Sequence, residues 1–149
     1  MAWASLIMER CLRPLQTLIY TEFGAASAEV TIHGQGVQGD RWIDLRYLRD
    51  DQAVEPRAFA SLRRVDVRIR YIRRRPASPT TGLLQDLFDQ VDRLKYTLLA
   101  NANHASRYWL DGQIGLCEGQ PDLSDLGESA DQYEGVEINW SCKIAENIS

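Results

Sequence analysis

The chain has 149 residues, 44% hydrophobic and 26% charged, a balance that fits one soluble globular domain spanning 1–149 around a single core. It contains no run of 18 apolar residues and no basic leader ahead of an apolar stretch, so neither a membrane span nor a secretory signal is read, and the expected setting is the cytosol. Net charge is −4 but unevenly spread: residues 1–100 carry 15 basic and 12 acidic side chains, residues 101–149 carry 2 and 9. Such a split suits a surface whose sides meet different partners or copies of itself.

The first element is helical. Trp3, Leu6, Ile7 and Cys11, then Leu15, Leu18 and Ile19, recur at spacings of three or four. Pro14 predicts a kink or a second helix with proline in its first turn, and Phe23-Gly24 a stop. Val30 and Ile32 then alternate with Glu29, Thr31 and His33, and Ile43, Leu45 and Tyr47 with Asp44 and Arg46, so two strands are expected.

Between those strands lies GQGVQG, which has the dinucleotide-binding spacing G-x-G-x-x-G. That chemistry needs a helix beginning at the loop, so that its free N–H groups meet the pyrophosphate. A strand follows instead, and Gly34, Gly36 and Gly39 are expected to supply positive φ values in a hairpin loop.

A polar loop, with room for one edge-strand segment, is read over RDDQAVEPRAFASL around Pro56. The next strand puts Val65, Val67, Ile69 and Tyr71 on one face and Asp66, Arg68 and Arg70 on the other, and Pro76 closes it. The period then changes: Leu83, Leu84, Leu87, Phe88, Val91, Leu94, Leu98 and Leu99 trace one face of a helix, with Ser78 or Thr81 as its cap and Pro79 in its first turn. Two strands complete the chain. The first carries Tyr108, Leu110, Ile114 and Leu116, with Gly112 and Gly115 marking a bulge or close packing; the second carries Val136, Ile138, Trp140, Cys142 and Ile144. Between them, at about 118–134, runs a long connection with five acidic residues from Asp122 to Glu134. The sum is an α+β fold: a mainly antiparallel single sheet of about four to six strands, with two amphipathic helices packed on one face.

No catalytic motif occurs: G-x-S-x-G, the phosphate-binding G-x-x-x-x-G-K-[ST] and H-E-x-x-H are all absent. Asp50 and Asp51 form an acid pair, but exposed loop carboxylates usually only solvate. Three separated cysteines, Cys11, Cys117 and Cys142, and two histidines, His33 and His104, offer no metal-ligand spacing, so the cysteines are expected buried as small apolar groups. Neither catalytic residues, a metal, a cofactor nor a small-molecule substrate is expected.

Seven of the fifteen arginines fall between Arg63 and Arg75. Arginine's planar fork suits interfaces and phosphates, yet the chain is acidic overall and lacks a basic-aromatic platform, so a nucleic-acid-binding module is the weaker reading. The alternative joins the two charge features. Arg70, Arg73, Arg74 and Arg75 of one copy would face Asp122, Asp125, Glu128 and Asp131 of the next, a head-to-tail contact that closes into a ring or runs on as a filament.

The element order, with the strand VDVRIRYIRR, the helix LLQDLFDQVDRLKYTLLAN and the strands YWLDGQIGLCE and GVEINWSCKIAE, resembles the tail terminator (tail completion) proteins of long-tailed bacteriophages. The resemblance covers most of the chain and lies in pattern, not in a diagnostic motif. It implies a non-enzymatic subunit that forms a hexameric ring, caps the tail tube and meets head-completion or neck proteins in the virion after assembly in the host cytoplasm. DNA would only pass through the ring, and no membrane is involved. In such a ring Gly34, Gly36 and Gly39 become candidate rim contacts. Head–tail connectors and stoppers share the same small size and mixed structure and stay open as alternatives.

Overall fold

Alternation of apolar and charged residues builds the centre of the molecule. In the computed structural model, which describes residues 7–24, 29–52, 62–77, 81–103, 109–115 and 121–145, strand β3 (Leu62–Arg74) buries Val65, Val67, Ile69 and Tyr71 on one face. Successive strand residues point to opposite faces, so Arg64, Asp66, Arg68 and Arg70 line the other. Strands β1 (Glu29–Ile32), β2 (Arg41–Gln52), β4 (Leu110–Ile114) and β5 (Tyr133–Ala145) complete one five-stranded sheet in the order β1-β2-β3-β5-β4.

The helices cover the apolar face. A π-helical turn (Met8–Leu12) leads into α1 (Arg13–Phe23), where Pro14 sits in the first turn and Gly24 forms the cap, as expected. Helix α1 buries Leu15, Ile19 and Phe23, and α2 (Thr81–Ala100) buries Leu87, Val91, Leu94 and Leu98. Each such side chain, fully buried, contributes about 1.5–3 kcal/mol. Trp140 and Trp109 meet edge to face at 6.4 Å beside this core. Cys11 and Cys142 are buried in it as expected, with their sulfurs 3.7 Å apart.

The α+β class and the single sheet agree with expectation, and five strands fall within its range. The sheet is mixed, however, not mainly antiparallel, because β1 pairs with β2 in parallel, Val30 opposite Ile43. The loop 33–40 is therefore not a hairpin: it carries the chain back along β1 so that β2 starts level with it. Gly36 and Gly39 do take positive φ there, 71° and 145°, but Gly34 does not, and the neighbouring His33 does so instead, at 50°. Alternation reveals a strand but not the direction of its partner, which depends on the path of the loop.

Three further corrections concern extent. Arg49–Gln52, read as loop, belongs to β2 and pairs with β3 across a bulge between Tyr47 and Arg49. The acidic connection contains a 3₁₀ segment (Ser124–Gln132), kinked at Gly127, which makes three helical segments among the described residues where two were expected. On α2, Leu84, Phe88 and Leu99 lie exposed on the flank of the buried stripe, since the contact with the rest of the fold is narrower than the apolar pattern. The bulge anticipated from Gly112 is present, as a register shift between Leu110 and Gln113.

Several expectations fall outside the described residues: Trp3 and Leu6, the loop around Pro56, Ser78 and Pro79, His104, Tyr108, Leu116 and Cys117, with the side chains of Leu83 and Thr81. Among the described residues no helix is long and apolar enough to cross a membrane, and no group of three or more His, Cys, Asp or Glu could hold a metal ion.

Candidate assembly surface

The sheet face opposite the helices is built from charged rows. Register places Asp44 of β2 beside Arg70 of β3 and Glu137 of β5, then Arg46 beside Arg68 and Asn139, then Arg49 beside Asp66 and Ser141. Opposite charges across strands attract and like charges repel, so Arg46 and Arg68, which face each other in the middle row, each turn to a carboxylate of the first row. Asp44, fully buried, accepts Arg46 Nε at 2.7 Å and Arg70 Nη2 at 3.0 Å on Oδ2, and the Thr31 hydroxyl and Gly34 amide, each at 2.8 Å, on Oδ1. Arg68 lies 2.9 Å from Glu137.

The acidic segment closes over one end of this face. Arg70, only 4% exposed, grips Asp125 with both terminal nitrogens, at 2.9 and 3.1 Å, and donates to the Asp122 carbonyl at 3.0 Å. Arg46 reaches the same carboxylate at 3.2 Å. Leu126 meanwhile packs with Trp42, Ile72 and Tyr133 in a small second core. A charge-assisted bidentate clamp and an apolar plug together fix the segment to the sheet. The Arg70 hydrogen bond holds the Asp125 carboxyl below the ordinary range, even though burial opposes it.

The residues assigned to an interface from sequence thus separate into two sets. Arg70 and Asp125 bind each other inside one chain. Arg73 lies on the helix side of the sheet and pairs with Glu134 at 2.9 Å and with Asp86 of α2 at 3.6 Å. Arg74 stacks over the Tyr133 ring at 5.4 Å and bonds Asp40 at 2.9 Å, and Arg75 donates to the Tyr133 carbonyl at 3.1 Å, both remaining exposed. Asp122, Glu128 and Asp131 are exposed. Of the glycine loop, Gly34 is tied down through Asp44 and through Arg46, whose Nη2 donates to the Gly34 carbonyl at 2.7 Å. The Gly39 carbonyl accepts the Tyr133 hydroxyl at 3.2 Å. Gly36 sits between these anchors, followed by exposed Val37. Of the acid pair, Asp50 bonds Arg63 and the Tyr47 hydroxyl, and the Arg63 bond lowers its pKa, the reverse of what a general acid needs, while the side chain of Asp51 lies outside the described residues.

Two surfaces were not singled out from the sequence. Beyond the clamp, the same sheet face opens as a groove of about 440 Å³ lined by Leu48, Arg49, Arg64, Asp66, Arg68 and Ser141, among others. The bulge in β2 leaves Leu48 exposed at its side. Arg49 and Arg64 share one carboxylate, Asp66, at 2.9 and 3.5 Å. Burial pushes the Asp66 carboxyl up, but bonds from Arg49 and Ser141 and the nearby Arg64 charge outweigh it and hold it low. On the opposite side of the molecule, α2 exposes Leu84, Phe88, Tyr96 and Leu99. The charge alternation in VDVRIR could have pointed to the groove, but a bulge leaves no signature in composition.

Comparison of the sequence with protein-family models and with curated proteins returned no match.

Proposed function

We propose that this chain is a non-enzymatic structural subunit of a tailed-phage virion, which assembles with copies of itself into a ring that caps the tail tube and joins the tail to the head or neck. The observation that carries the reading is the unburied apolar ridge of α2. Leu84 is 48% exposed, Phe88 52% and Tyr96 74%, on a helix whose other side is fully engaged. Apolar residues concentrated on one face in this way mark a contact with another protein. The α+β layering and the element order agree with the resemblance to tail terminators.

On this reading the partners are further copies, the tail tube protein and a head-completion protein, with DNA only passing through. Arg74, Arg75, Glu128 and Asp131 stay at the surface for such contacts, with the glycine loop as a rim element, whereas Arg70 and Asp125 serve the subunit's own fold. Connectors and stoppers of the neck, which share the small size and mixed structure, are the nearest alternative. A nucleic-acid role is less favoured, because Arg68, Arg70 and Arg73 are already paired with carboxylates.

Light scattering and electron microscopy of the purified chain, alone and mixed with tail tubes, test the proposal. The expected result is a ring near six times the 17.0 kDa chain mass, seated at a tube end. A strict monomer at high concentration, with or without tubes, would overturn it.

A further inference from the structure

The groove and the ridge have matching chemistry. The groove keeps an excess of positive charge, since Arg49 and Arg64 share the single carboxylate of Asp66 while Arg68 is matched by Glu137, and it has an apolar edge at Leu48. The ridge is apolar and acidic. Leu84, Phe88, Asp92 and Tyr96 follow at four-residue steps, which places them along one side of the helix over about 18 Å. Exposed Asp89 lies beside Phe88 and Asp92. The groove's own sheet face already shows what it accepts: Asp125 sits between Arg46 and Arg70 from neighbouring strands. Arg49 and Arg64 flank Asp66 in the same way lower on that face, where both are exposed and together carry one positive charge more than the carboxylate they share.

We infer that the α2 ridge of one chain docks into the sheet groove of the next copy, with Phe88 and Leu84 against Leu48, and Asp89 and Asp92 against Arg49 and Arg64. The inference rests on the ring-forming reading and names the contact that builds the ring. Groove and ridge lie on opposite sides of the sheet, since Arg64, Asp66 and Arg68 alternate with the residues that pack under the helices. A contact between opposite sides of one chain is head-to-tail, so it repeats from copy to copy and closes when its rotation divides a full turn. Exposed ion pairs contribute little on their own. Apolar burial therefore supplies affinity, and the charges select register and exclude the reversed arrangement. This moves the expected pairing between copies from the Arg73–Arg75 end to the groove, and leaves exposed Arg74 and Arg75 to the tube or head proteins.

Charge reversal in two halves tests it on the full chain. One variant carries Arg49→Glu and Arg64→Glu, the other Asp89→Arg and Asp92→Arg; all four side chains are exposed, and circular dichroism melts establish that both variants fold. Each alone is expected to lose self-association by about tenfold or more, because like charges then face each other. Mixed together, the two should assemble, since the acidic ridge of the first fits the unaltered groove of the second, and the basic ridge of the second fits the reversed groove of the first. Wild-type rings that survive both reversals, or folded variants that stay apart when mixed, would overturn this contact while leaving the ring reading in place. So would loss of binding to single-stranded DNA in the groove variant with its assembly intact. A monomeric wild type would remove the ring reading itself and this contact with it.

Discussion

Asp125 ties sequence chemistry to tertiary closure. Its carboxylate is clamped by Arg70 and touched by Arg46, and removing it would leave the buried Arg70 guanidinium with Asp44 alone, which it shares with Arg46. Its pKa is lowered in the folded chain, so the stabilisation is complete above the unfolded carboxylate value of about 4 and is lost as pH falls through the lower native value. Asp125→Asn should therefore unfold at lower temperature than wild type at neutral pH, with the difference shrinking below pH of about 4. A constant difference down to strong acid would contradict the clamp. Gly135 illustrates a purely steric requirement: a Cβ there would stand 2.2 Å from the Tyr71 carbonyl oxygen, a backbone atom that cannot swing away. Gly135→Ala should cost about 1–3 kcal/mol in a denaturant titration, and an unchanged midpoint would contradict this packing. Asp44 was legible only in part. It reads as an outward polar position between Ile43 and Leu45, yet it is fully buried, because the arginines that neutralise it arrive from another strand and from two residues along its own.

Strong periodicity found the elements, and their extent followed packing. The clean alternation of Val136 to Ile144 and of Val65 to Tyr71 corresponds to β5 and β3, the two longest strands. Helix α2 was equally visible, but its apolar stripe is wider than the face the fold buries. That surplus is what an isolated sequence cannot assign, since burial against the subunit and against a partner call for the same residues. Strand β1 was found without its direction, and the end of β2 was hidden by polar residues that pair through backbone alone. The sheet order makes a prediction at this scale. Strand β3 is bonded on both sides, while β1 and β4 are edges. Amide hydrogen exchange should be slowest along β3 and faster by orders of magnitude in Glu29–Ile32 and Leu110–Ile114. Equal protection of an edge strand and β3 would contradict the topology.

For the whole molecule, the separation of charge along the chain does not become a separation in space. The acidic segment of the second part folds onto the arginine face of the first, so much of the imbalance is neutralised within one chain. What stays exposed is a groove with Arg49 and Arg64 on one side and an apolar, acidic ridge on the other. On its own, the order of residues decided the class of fold, the strands with strict two-residue alternation, the helix stop at Gly24 and the burial of Cys11 and Cys142, because each of these depends on neighbours within a few positions or on side-chain polarity alone. The parallel docking of β1, the closure of the 3₁₀ segment, the burial of Asp44 and the open groove were settled only in three dimensions. Each depends on a partner far along the chain, and no local pattern of polarity encodes which distant residue a charge or a strand edge will meet.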